Sequence, residues 1–170
     1  MFLPTFASKF GTVPNGAALS VNTIAQAMAL AAVLLAAWAS DHLIRRRTLL
    51  MLAFGAILIT AVGFFRLPQT GSIADFWVAQ ALFGVMLGVI MGTAPAMLAE
   101  LFRSEYRLSG YSLTFNTGLG IGGGTAPLIA TALNGLTGHA LASSLYLMLG
   151  AGMSIVALLF MVDRSREPLR

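Results

Sequence analysis

The chain has 170 residues, 58% of them hydrophobic and 9% charged, with a mean hydropathy of +0.85. Soluble domains carry about 25% charged residues, so this chain cannot cover a water-facing surface, and its natural solvent is lipid. The net charge of +4 would raise nucleic acid as a partner in a soluble protein. Here the basic residues stand between apolar runs, with no basic stripe and interleaved aromatics, which argues against that class. There is no cysteine, which excludes disulfides and thiolate metal sites.

Taken in chain order, residues 1–10 read as the tail of a helix, followed by a loop marked by Lys9, Gly11, Pro14 and Gly16. The opening Met1-Phe2-Leu3-Pro4 has neither a basic n-region nor a cleavage site, so it is not read as a signal peptide. Five segments then reach the length of about 20 apolar residues that a helix needs to cross a bilayer. They cover residues 17–39, 48–65, 76–99, 110–133 and 141–162. The predicted fold is therefore all-α and integral to the membrane, a single transmembrane domain over 1–170 with five full helices and a helix stub.

Arginines orient it. If the five segments alternate, Arg45, Arg46, Arg47, Arg103, Arg107, Arg164, Arg166 and Arg170 fall on one side, and Lys9 and Arg66 on the other. Basic residues accumulate in cytoplasmic loops, so the C-terminus is expected in the cytoplasm and the start of the chain outside. Starting outside with a helix stub suggests that Met1 falls inside a longer ancestral chain.

The spans hold almost no ionisable groups; Asp41, Asp75, Glu100 and Asp163 all sit at span ends. Charge inside lipid usually marks an ion or substrate path, so if the protein couples to protons, the proton-binding carboxylate is expected outside this chain. The first cytoplasmic loop runs from Ala37-Trp38-Ala39-Ser40-Asp41-His42 to Leu43-Ile44-Arg45-Arg46-Arg47. A carboxylate followed by a tight basic cluster can anchor to anionic headgroups. Alternatively, Asp41 can cap a neighbouring helix while an arginine pairs with another carboxylate. The second loop places Glu100 and Arg107 seven residues apart.

Together the two loops resemble the major facilitator superfamily. The first resembles its G-x-x-x-D-R-x-G-R-R loop and the second its E-x6-R signature at the cytoplasmic end of the tenth helix. The stretch from Pro95 through Tyr111-Ser112-Leu113-Thr114-Phe115-Asn116 to Gly122-Gly123-Gly124-Thr125-Ala126-Pro127 is similar to the metabolite:proton symporter branch of proline/betaine, 2-oxoglutarate, citrate and shikimate carriers. Phe2-Leu3-Pro4-Thr5 is similar to the end of that branch's seventh helix. The resemblance spans the whole chain as helices eight to twelve. It departs at Ala37 and Ile44, where the family has glycine, at His42, where it has a basic residue, and at Arg103 and Glu105, where it has proline and arginine. It implies a cytoplasmic gating network of Asp41, Arg45, Arg46, Glu100 and Arg107, with Arg45 and Arg46 able to exchange roles.

Polar side chains within spans are the candidate substrate ligands. Ser20, Asn22, Thr23 and Gln26 fall within a helical arc of about 160°. Ser112 and Asn116 share a face near Tyr111 and Thr114, and Gln80 lies early in its span. Asn22, Gln26, Gln80, Tyr111 and Asn116 are the residues put forward; each can equally pair with a neighbouring helix. Gly84, Gly88 and Gly92 form a double G-x-x-x-G, and Gly118-Gly122 and Gly120-Gly124 repeat it, the pattern of closely packed helices, with bending of the helices as the alternative role. The spacing of Gly118, Gly120 and Gly123 matches a dinucleotide loop but lies in an apolar span with no βαβ context. His42 and His139 stand in loops with nothing near them to suggest a metal site or a catalytic triad.

The expected function is the C-terminal half of a secondary transporter in a cell membrane, of the bacterial inner-membrane kind. It would carry a small polar metabolite, an organic acid or osmolyte, with protons, by alternating access. Its partners would be the bilayer, the substrate, protons and an N-terminal six-helix half; no cofactor, metal, nucleic acid or enzymatic activity is expected. The alternatives are a non-transporting assembly or regulatory subunit and an inactive truncated fragment.

Overall fold

A computed structural model gives the fold and describes residues 15–67, 72–137, 139 and 141–161. The predicted helix tail at 1–10, Lys9, Asp163 and the arginines at 164, 166 and 170 lie outside the described residues. Among those described, every element is helical: α1 (Asn15–His42), α2 (Arg46–Arg66), α3 (Ile73–Glu100), α4 (Arg107–Gly118), α5 (Gly124–Thr137) and α6 (Ala142–Phe160). Four of them, α1 (over Ser20–His42), α2, α3 and α6, are long and apolar enough to cross a membrane. α1, α2 and α3 extend the predicted spans mostly into polar residues, because backbone hydrogen bonding continues past the apolar run until a loop breaks it, whereas α6 stays within its predicted span of 141–162.

The predicted span at 110–133 is built differently. Helical backbone runs from Arg107 to Thr137 but in two α-helices joined by a π-helical turn, Leu119–Gly123. Two features of the sequence account for the break. Pro127 has no N–H to give the Gly123 carbonyl and its ring crowds that oxygen. Glycines at 118, 120, 122, 123 and 124 supply no side chains to hold the α register. The hydroxyl of Thr125 donates to the Ile121 carbonyl at 2.5 Å, and Tyr146 of α6 reaches the Gly122 carbonyl at 3.5 Å.

Packing follows membrane rules. Half of the buried hydrophobic side chains among the described residues are alanines (Ala25, Ala32, Ala36, Ala53, Ala61, Ala79, Ala130, Ala142 and Ala151), whereas Leu30, Leu34, Leu35, Ile59, Leu136 and Phe160 point outward. A soluble core would invert that order; in lipid, close backbone approach and interhelical polar pairs replace hydrophobic collapse. α3 is central, packing along α1 on one side and α2 on the other, while α2 packs on α6 and α6 on α5. Leu50, Ala53 and Ile57 of α2 meet Ile90 and Met97 of α3 and Ala151 and Leu158 of α6. Phe64 meets Phe83 edge-to-face at 5.1 Å.

The glycine ladder faces α1. A Cβ on Gly88 would stand 2.5 Å from the Ala29 carbonyl oxygen, and one on Gly92 would stand 2.5 Å from that of Val33. The predicted packing role of this G-x-x-x-G is thereby located. Gly118, Gly120, Gly122 and Gly124 have nothing within 4 Å of such a Cβ, so the Cβ side of the second glycine series meets no helix among the described residues. At the other end of the hairpin, Asn134 of α5 caps α6. Its Oδ1 accepts from the Ser143 backbone N–H at 3.0 Å, and Ser143 Oγ lies 2.9 Å from the same oxygen. That satisfies one of the N–H groups a helix leaves open at its start.

Candidate functional site

The antiparallel order of α1, α2 and α3 brings the end of α1, the start of α2 and the end of α3 to one end of the bundle. Three charged side chains meet there. Arg46 Nη2 donates to Asp41 Oδ1 at 2.5 Å, and Arg46 Nη1 pairs with Glu100 Oε1. One guanidinium thus bridges two carboxylates from two other helices. Arg46 and Glu100 are each 14% exposed and Asp41 is 52% exposed, so the Glu100 pair is sheltered and the Asp41 pair is wet.

The remaining members of the predicted network stand elsewhere. Arg45 precedes α2 with an extended backbone (φ −60°, ψ 139°); its exposed side chain makes no hydrogen bond or ion pair among the described residues. Arg107 Nε donates to the carbonyl of Phe102 at 3.4 Å, within its own loop, while Glu100 pairs with Arg46. Arg47, left out of the predicted network, donates from Nη2 to the Leu159 carbonyl in the last turn of α6 at 3.1 Å. A cation there faces the negative end of a helix dipole. Carbonyl recognition by arginine has no sequence signature, which is why spacing did not find it.

Of the polar candidates, the structure joins Asn22 and Gln80: Gln80 Nε2 donates to Asn22 Oδ1 at 3.2 Å, and Gln80 is 4% exposed. Each lies seven residues into a 28-residue helix, about 10 Å from that helix's midpoint. Gln26 sits one turn further in, about 4 Å from the midpoint, exposed and without a hydrogen bond among the described residues. Tyr111 and Asn116 lie toward the charged end. The Tyr111 ring stacks on Phe115 at 5.4 Å, and the Asn116 amide donates to the Ser112 carbonyl of its own helix at 2.8 Å. Asn22 and Gln80 therefore lie on one side of mid-height and Tyr111 and Asn116 on the other, with Gln26 near the middle.

The Asn22–Gln80 bond carries a prediction. Asn22→Leu leaves a buried amide donor without its partner and is expected to cost about 1–2 kcal/mol. The Asn22→Leu/Gln80→Leu pair should cost less than the sum, with a coupling of about 1 kcal/mol. A double-mutant cycle of thermal unfolding in detergent micelles measures this; zero coupling would show that the bond contributes nothing.

Comparison with known proteins comes to the same end. The family model described as Major Facilitator Superfamily matches residues 1–170. An ectoine/proline transporter of Corynebacterium glutamicum is 32% identical over 124 residues, 73% of this chain and 25% of the relative. A protein described as a putative proline/betaine transporter in Staphylococcus aureus is 31% identical over 104 residues, 61% of this chain and 22% of the relative. The shikimate transporter of Escherichia coli is 30% identical over 138 residues, 76% of this chain and 30% of the relative. The chain thus spans less than a third of the length of these relatives. No solved structure matches it.

Proposed function

Because this chain belongs to the major facilitator superfamily, we propose that it is the C-terminal half of a multi-pass secondary transporter, with five spans counting the broken helix α4–α5. In this reading it moves a small polar metabolite, an osmolyte or organic acid, together with protons, by alternating access. Two of the relatives above carry osmolyte names and one carries an organic acid's, which supports that substrate range. Facilitators bind substrate near the midplane between two six-helix halves, so this chain supplies one wall. Gln26, near mid-height and without a hydrogen bond among the described residues, is the leading ligand on that wall. Asn22, Gln80, Tyr111 and Asn116 flank it above and below.

The observation that carries the proposal is the Arg46 bridge between Asp41 and Glu100, at the positions where the family's two loop motifs stand. In this role the bridge ties three helix ends at the cytoplasmic face, with the C-terminus on the same side. It favours the state closed on that face, with Arg45 and Arg107 completing the network as the helices move. A half-exposed ion pair contributes at most about 1 kcal/mol, so Asp41→Asn is expected to shift the gating equilibrium and slow transport by up to about fivefold. Equal uptake by wild type and variant at equal membrane abundance would remove the gate.

Proteoliposomes test the whole proposal. Labelled proline or betaine should accumulate under an imposed pH gradient when this chain is reconstituted with a six-helix N-terminal half, here that of the Corynebacterium relative. The chain alone should give none. Uptake by the chain alone as a monomer overturns the two-half division. Failure to transport any osmolyte or organic acid with a half to which the chain demonstrably binds overturns the transport reading.

A further inference from the structure

The loop between α1 and α2 gives its three arginines three different surroundings. Arg46 is taken up by two carboxylates, and Arg47 by the Leu159 carbonyl. Arg45 alone of the three is left exposed, with no hydrogen bond or ion pair among the described residues. Immediately before it, Leu43 and Ile44 are exposed too, and so, further back on α1, is Trp38. The loop is nonetheless built: the N–H groups of Leu43 and Ile44 both donate to the Ala39 carbonyl at 2.9 Å. The Trp38 ring is held as well, stacked on His42 with centroids 5.5 Å apart, while His42 Nδ1 donates to the Trp38 carbonyl at 3.0 Å.

We propose that this loop binds the headgroup of an anionic phospholipid, with the phosphate on the Arg45 guanidinium and Leu43 and Ile44 in the acyl-chain boundary. Two adjacent aliphatic side chains at the tip of an ordered loop have no reason to face water. At the end of a membrane-crossing helix they meet hydrocarbon, and the arginine next in sequence then stands at phosphate height. Trp38, an amphipathic ring held at the same end of α1, belongs at the headgroup level. Charge selects the lipid class. Asp41, the one carboxylate in the loop's sequence from Trp38 to Arg47, is occupied by Arg46, which leaves the loop's outward charge positive. The flanking Leu43 and Ile44 select lipid over free phosphate, which has no apolar part for them to bury. This inference does not depend on what the chain transports.

The chain contains two tryptophans, Trp38 and Trp77, so Trp77→Phe makes Trp38 the reporter. The protein is reconstituted in phosphatidylcholine vesicles with a small fraction of brominated phosphatidylglycerol or, in parallel, of brominated phosphatidylcholine. Phosphatidylglycerol should associate with the Trp38 site about fivefold more strongly, the effect expected of one arginine at an anionic surface. Arg45→Gln should bring that ratio close to unity, and Arg45→Lys should keep most of it. Quenching by brominated phosphatidylcholine should be the same in all three, which confirms that the variants are folded and inserted. Equal quenching by both lipids in the unsubstituted loop, or a preference that survives Arg45→Gln, overturns the proposal. So does loss of the preference on adding inorganic phosphate at constant ionic strength, because the site would then take the free anion.

Discussion

Gly88→Ala is expected to destabilise the chain by about 1–3 kcal/mol, the range for overfilling a packed interior. Its Cβ would meet the Ala29 carbonyl oxygen at 2.5 Å, the Ala32 Cβ at 2.7 Å and the Val33 nitrogen at 3.2 Å. Two of those three atoms are backbone and cannot rotate away, so α1 as a whole must retreat from α3. Gly92→Ala, aimed at the Val33 carbonyl, should act alike, and Gly88→Leu should drive the two helices apart. The same change at Gly55 or Gly150 meets nothing within 4 Å. There alanine should be neutral or stabilise the helix by up to about 1 kcal/mol. Thermal unfolding in detergent, read by circular dichroism, compares the four alanine variants. A Gly88→Ala protein as stable as Gly55→Ala would mean that α1 and α3 are not held by this ladder.

Removing Arg46 should cost more than removing either carboxylate's charge alone. Arg46→Met leaves Glu100, only 14% exposed, charged and unpaired, which is expected to cost about 3 kcal/mol. Asp41→Asn touches only the wet side of the bridge and should cost at most about 1 kcal/mol. Arg46→Met/Glu100→Met should recover most of the loss, because deleting both ends of the sheltered pair leaves no buried orphan charge and the half-exposed Asp41 stays hydrated. Unfolding midpoints for the two single variants and the double variant give the comparison. A double variant as unstable as Arg46→Met would show that packing of the arginine stem, rather than ion pairing, holds these helix ends.

Much of this was legible in the sequence, for physical reasons that also mark where legibility stops. Length and hydropathy located α1, α2, α3 and α6, because a bilayer demands long apolar helices whatever their partners. Apolar runs do not define helix ends, so α1 and α3 run on to His42 and Glu100. The resemblance of the two loops to the family's motifs implied a network of Asp41, Glu100 and the arginines but left Arg45 and Arg46 interchangeable. The structure separates them: Arg46 begins α2, while Arg45 is the extended residue before it, and one residue turns a helical side chain by about 100°. The π turn was not foreseen, because glycines that permit a distortion read the same as glycines that permit close packing. The polar candidates were grouped by helical face. Face says nothing of height, and the structure sets Asn22 and Gln80 on one side of mid-height and Tyr111 and Asn116 on the other. Asn134 escaped notice because it lies just past the predicted end of its span, and what it caps, the Ser143 N–H, belongs to the next helix.

The Arg46 bridge also constrains how the protein is made. Asp41 leaves the ribosome shortly before Arg46 and can hold it as soon as the α1–α2 loop forms. Glu100 arrives only after two further helices, and it ends on the opposite side of the membrane if just one of them crosses. A chain that skipped one crossing would strand Glu100 on the opposite face and leave the guanidinium half-paired. A closed bridge is therefore incompatible with a chain in which just one of α2 and α3 has crossed the membrane.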